Sequence, residues 1–180
     1  MKAYAIHSRL FLAVAASTLI LGGCAAPADR SAMTPQNLTV SKHYPHSLGI
    51  QTSGGAETNA IPGANISNAD LKAAIEAAVS QSKLFNTVVQ GSNGDYELSV
   101  RMTSLSKPLF GATFTVEMET AWSLTKTSDR SVAMRKAIKS SGSATIGDAI
   151  VGATRMRMAV EAASRNSIEQ GLNSIAELNL

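Results

Sequence analysis

The sequence predicts an α+β fold: a two-layer sandwich of order β-α-β-β-β-α, with a mainly antiparallel sheet and two helices packed on one face. Three observations predict it. Residues 96–105, YELSVRMTSL, and 113–124, TFTVEMETAWSL, alternate apolar and polar side chains, as half-buried strands do. Residues 66–82 carry an apolar stripe at helical spacing, and a second such stripe runs through 148–178.

Each element has its own justification. Residues 47–55, SLGIQTSGG, read as a first strand stopped by Gly54 and Gly55, and a loop rich in Asn, Gly and Pro follows. Ser67 is placed to cap a helix over 68–82, with Asp70 three residues on and Ile66 and Leu71 as a hydrophobic staple. Leu71, Ala74, Ile75, Ala78 and Val79 form its buried stripe. Thr87 to Gln90 begins a strand that the turn GSNGD at 91–95 breaks. In the next strand Tyr96, Leu98, Val100 and Met102 face inward. In its partner Phe114, Val116, Met118, Trp122 and Leu124 do so. Residues 132–146 read as a weaker third strand of this meander, with Lys136 suiting an edge position, where a lysine discourages unwanted pairing. Asp148 opens the last helix, and Gly171 within it permits close packing.

The amino end has a different character. Lys2 and Arg9 precede a largely apolar run over 10–21, too short for the roughly 20 residues of a membrane-spanning helix. A basic head, a short apolar body and small residues at its end read as a secretion signal over 1–23. Leu21, Gly22, Gly23 and Cys24 resemble the lipobox of bacterial lipoprotein precursors. The resemblance implies cleavage between Gly23 and Cys24, with an N-acyl diacylglyceryl group, palmitate among its acyl chains, on Cys24 as the sole attached group. Several acyl chains together make a stable anchor where one would hold only marginally. Ala25 stands where an Asp would mark inner-membrane retention in enteric-type bacteria. The resemblance therefore implies the inner leaflet of the outer membrane, facing the periplasm. Residues 24–46, with Pro27, Pro35 and Pro45, read as the lipidated cysteine and a flexible tether, and 47–180 as a single periplasmic domain.

Composition narrows the function. The leader holds two of the 16 basic residues and none of the 13 acids, so the chain from Cys24 onward is formally +1. Such a balance gives little reason to expect a nucleic-acid partner. Cys24 is the only cysteine, which excludes an internal disulfide. His43 and His46 form no metal-ligand spacing, and no metal is expected.

Lipobox, tether and strand order together resemble a broad group of periplasmic lipoproteins. The order is that of the outer membrane's LPS-assembly lipoprotein and, more loosely, of auxiliary lipoproteins of ABC-type lipid transporters. Residues 152–172, GATRMRMAVEAASRNSIEQGL, look like the closing helix of uncharacterised lipoproteins of this kind. The resemblance beyond the lipobox is one of topology, and topology does not carry function.

Few residues suggest chemistry. Ser80 with Lys83, and Ser104 with Lys107, have the Ser-x-x-Lys spacing of acyl-serine enzymes, but neither serine is expected at a helix start, where that chemistry needs it. Glu117 and Glu119 share the outward face of a strand, more simply a solvated face pairing with Arg101 or Arg135 than an acid–base pair. Leu109 and Phe110 lie in a hairpin, where they either fold back on the core edge or contact a partner or a lipid. Arg155, Arg157 and Arg165, with Lys136 and Lys139, offer either solvated helix charges, with Glu161–Arg165 and Arg165–Glu169 pairs, or a patch for anionic lipid. No catalytic set emerges. The expected role is a non-enzymatic accessory or assembly factor, bound to the membrane by its anchor and to an envelope protein. A lipid- or LPS-binding module is the alternative, and an envelope hydrolase comes third.

Overall fold

A computed structural model describes residues 26–55 and 65–180. The leader, the lipobox with Cys24, and Ala25 lie outside the described residues, as do residues 56–64. In chain order the elements are α1 (Arg30–Met33), β1 (Tyr44–Ser53), α2 (Asn68–Ser82), β2 (Phe85–Val89), β3 (Tyr96–Ser106), β4 (Phe114–Lys126), β5 (Val132–Ala144) and α3 (Gly152–Ala176).

The architecture is the expected α+β sandwich, with one more strand than predicted. The sheet runs β2-β1-β3-β4-β5. β3, β4 and β5 form the antiparallel meander, and β5 is the edge. β1 is parallel to both of its neighbours, so the sheet is mixed. The reason lies at a crossing of the chain. β2 lies along Tyr44–Gly49 of β1, and β3 lies on the other side, from Leu48 onward. The GSNGD segment is therefore no hairpin turn: it carries the chain across β1 without reversing it. The crossing needs glycine. A Cβ at Gly49 would sit 2.4 Å from the Gly91 carbonyl oxygen, and one at Gly94 would sit 2.7 Å from the Gly49 nitrogen. Asp95 pins the crossing by accepting from the Ser47 backbone N–H and hydroxyl, each at 2.8 Å.

α2 has the predicted bounds, and the Ser67 hydroxyl caps the Asp70 N–H at 3.0 Å. Its stripe is buried as expected, as is Ile66 beside it. The inward residues of β3 and β4 are buried too, with Trp122 among the largest fully buried side chains. The Trp122 indole N–H donates to Thr120 Oγ1 at 2.9 Å, and Thr120 meets the Ser167 hydroxyl at 2.8 Å, so this buried polar pair is satisfied. Gly171 does permit close packing: a Cβ there would lie 2.5 Å from the Trp122 ring. Lys136 interrupts the inner face of β5 as expected, and its ammonium reaches the Ser174 hydroxyl at 2.8 Å.

Two expectations about element ends fail. α3 starts at Gly152, four residues after Asp148. Asp148 instead closes a turn by accepting from the Thr145 N–H and hydroxyl at 2.7 and 2.8 Å. The tether is also shorter than predicted. Over 24–46 the expected flexible segment gives way to folded chain from Ala28 onward. α1 rests against α2 and α3, Met33 is fully buried in the common core, and Pro35, Val40 and Tyr44 are buried with it. The Tyr44 hydroxyl donates to the Ile175 and Leu178 carbonyls at the end of α3, at 2.9 and 2.7 Å. Burial raises the pKa of that phenol.

Candidate functional site: an apolar end of the sheet

Arg155, Glu161 and Arg165 of α3 have internal partners, which corrects their reading as solvated charges or a lipid patch, whereas Glu169 is exposed. Arg155 is buried, with its guanidinium donating to the Ala149 and Ile150 carbonyls at 2.9 and 2.7 Å and lying 5.1 Å from the centre of the Phe114 ring. Glu161 is buried too; its carboxylate accepts from the Asp29 N–H at 2.9 Å and pairs with Arg157 at 3.6 Å. Arg165 donates to the Ala32 carbonyl at 2.7 Å. Glu161 and Arg165 clamp α1, and Glu161 pairs with Arg157 rather than with Arg165. Asp29 caps α1 from the other side, its carboxyl held below the usual range by the Ser31 hydroxyl and the N–H groups of Ser31 and Ala32.

Leu109 and Phe110 do not fold back on the core. They stand 84% and 87% exposed in the hairpin between β3 and β4. Ile146, Ile150 and Val151, in the segment between β5 and α3, are exposed at 54%, 88% and 62%. The register brings the two segments together. Phe114, which begins β4 just after the hairpin, is paired with Ala144, the last residue of β5. Arg155 ties the loop carbonyls to the Phe114 ring, so the base of this end is rigid while its apolar tips face outward. The sequence signalled Leu109 and Phe110 but not Ile146, which reads as the end of the strand over 132–146, nor Ile150 and Val151, which read as the start of the last helix; β5 in fact ends at Ala144.

Acid should loosen this end. The Thr145 N–H and hydroxyl hold the Asp148 carboxyl below its ordinary value of 3.8. A lowered folded-state value means that the stabilisation is present above 3.8 and is lost as pH falls through the folded value. Amide protection factors over 145–151, with the intrinsic pH dependence of exchange divided out, should fall across that window on acidification. Asp148→Asn should show the lower protection already at neutral pH.

The remaining candidates are dispersed. The Ser80 hydroxyl donates to the Glu76 carbonyl of its own helix at 2.8 Å, and Lys83 is the left-handed cap residue of α2. Ser104 stands opposite Glu119 at a register shift. Lys107 donates to Asn65 Oδ1 at 2.9 Å. Glu119 is opposite Lys139, and Glu117 opposite Ser141, rather than facing Arg101 or Arg135. Among the described residues no group of three His, Cys, Asp or Glu side chains could hold a metal ion, and no helix is long and apolar enough to cross a membrane.

Strand order and helix placement define the class: an α+β sandwich on a five-stranded mixed sheet, open on its outer face. No family model and no curated protein matches the sequence. Solved structures resemble the chain in fold. A Xanthomonas campestris protein of the family DUF330 aligns with a TM-score of 0.52 at 16% identity, over 79% of this chain and 87% of its own, and so shares the fold. A minor lipoprotein from Acinetobacter baumannii aligns at 0.48 and 10% identity, over 73% and 94%. Rare lipoprotein B from Shewanella oneidensis aligns at 0.46 and 13%, over 72% and 93%.

Proposed function

We propose that this chain is a lipid-anchored lipoprotein of the outer membrane, facing the periplasm, that serves as a non-enzymatic accessory or assembly factor of an envelope complex. The observation that carries the reading is the open face of the sheet. Helices cover one side of β3, β4 and β5; the other side presents Ser99, Ala121, Ala137 and Ser141 to solvent, with Arg101, Arg135 and Lys139 among them. Short side chains leave a flat surface, and both signs of charge give a partner register and orientation. A groove of about 570 Å³ continues this surface toward α3, lined by Glu117, Glu119, Lys139, Asn166 and Glu169. The lipobox at Cys24 supplies the anchor in this reading, and Ala25 favours the outer membrane.

A photo-crosslinking residue at Ala121, in the full-length protein in cells, tests the role. One abundant envelope protein should be captured there. Recovery of no envelope protein would count against an accessory role. A second reading, a lipid- or LPS-binding module, is favoured by the exposure of Leu109 and Phe110. Lipid retained by the purified protein in native mass spectrometry, and lost in Phe110→Ser, would select it.

A further inference from the structure

We propose that the apolar end formed by Leu109, Phe110, Ile146, Ile150 and Val151 rests on the lipid bilayer that holds the Cys24 anchor, so that the domain lies on the membrane in one fixed orientation. The proposal rests on the lipobox reading and goes beyond it, because an anchor alone leaves orientation free.

The direction in which the chain leaves the domain points to this occupant. α1 lies alongside α3 in the same sense: Asp29 meets Glu161, and Ala32 meets Arg165. Followed backward from Asp29, the chain therefore heads toward the start of α3, where Ile150 and Val151 stand. A second contact agrees. The Ala28 N–H donates to the Asn65 carbonyl at 3.2 Å, and Asn65 Oδ1 accepts from Lys107, at the base of the Leu109–Phe110 hairpin. From Ala28 back to Cys24 the chain advances four residues, a reach of at most about 14 Å. The acyl chains would thus enter the bilayer close to the five exposed apolar side chains.

The chemistry of the end suits a lipid surface. Exposed apolar clusters mark interaction sites, whereas scattered apolar residues need no explanation. Lys107 is the only charged residue in the hairpin segment 107–113, and Asp148, the only one in 145–151, is held by Thr145. With the anchor in place, contact of this end with the bilayer becomes an intramolecular step, so even weak insertion is strongly populated. The opposite end of β4, near Ser128, is polar and lies ~40 Å away along the strand. The open face of β3–β5 then runs along the axis from the membrane outward, available to a partner beside the protein.

The test uses the full-length acylated protein in vesicles of phosphatidylethanolamine and phosphatidylglycerol. A fluorophore is placed at Phe110→Cys, Ile150→Cys or Ser128→Cys, the native Cys24 sulfur being blocked by its lipid. Intact mass reports the acylation. Doxyl-labelled lipid should quench positions 110 and 150 several-fold more than position 128, and iodide should show the reverse order. Leu109→Ser with Ile150→Ser should lower lipid quenching at 110 several-fold while the protein stays on the vesicle. Acylated protein with 110 and 150 as open to iodide as 128 would overturn the docking alone. Unacylated protein would overturn the anchor reading and the docking with it. Protection of 110 in envelope membranes but not in protein-free vesicles would assign this end to a protein partner and overturn the proposal.

Discussion

Gly142→Val is expected to lower stability by about 3 kcal/mol or more, at the upper end of the range for overpacking. Judged by strand propensity the change should help, because valine favours strands and glycine weakens them. The packing reverses the sign. A Cβ at Gly142 would lie 2.2 Å from the Ala163 nitrogen and 2.4 Å from the Ala159 carbonyl oxygen. Both are backbone atoms of α3, so no side chain can rotate away. The helix would have to lift from β5 over its main contact with the sheet. Denaturant unfolding of the wild type and Gly142→Val measures the effect. A change under about 0.5 kcal/mol, as is usual for uninvolved surface sites, would contradict the close approach.

Met33→Ala is expected to remove about 2–5 kcal/mol, the usual loss for emptying a buried methionine site. A flexible tether would make the same substitution neutral. Met33 is fully buried among the side chains of the common core, although its helix has only four residues. A helix this short has no stability of its own. It persists because Asp29 caps it and because Glu161 and Arg165 of α3 bind its backbone at both ends. Arg165→Ala should therefore act in the same direction as Met33→Ala and raise amide exchange over 30–34. A Met33→Ala protein as stable as wild type would restore the tether reading and lengthen the reach of the anchor.

The elements legible in the sequence are those whose signals are local. The capping pair Ser67 and Asp70 marks the start of α2 to the residue. Strict alternation identifies β3 and β4, and Lys136 marks β5 as an edge. What was not legible depends on contacts distant in sequence. A GSNGD segment has the composition of a reversing turn, and only the approach of Gly91 and Gly94 to Gly49 shows that it crosses β1 instead. Proline and small polar residues over 26–46 resemble a linker, because the groups that fix them belong to residues 161–178. Arg155 and Arg165 of α3 look like surface charges by spacing, yet their acceptors are backbone carbonyls. At the candidate site, exposure of Leu109 and Phe110 was one of two open readings. The neighbouring Ile150 and Val151 were masked by a helix start that Asp148 does not provide.

The central claim is a folded domain held at the membrane by lipid on Cys24. Metabolic labelling with an alkyne fatty acid, followed by membrane fractionation of the wild type and Cys24→Ser, tests it most directly. The account predicts a labelled, processed wild type in the outer-membrane fraction and an unlabelled, uncleaved Cys24→Ser precursor. A Cys24→Ser protein that is processed normally and stays with the outer membrane would contradict it.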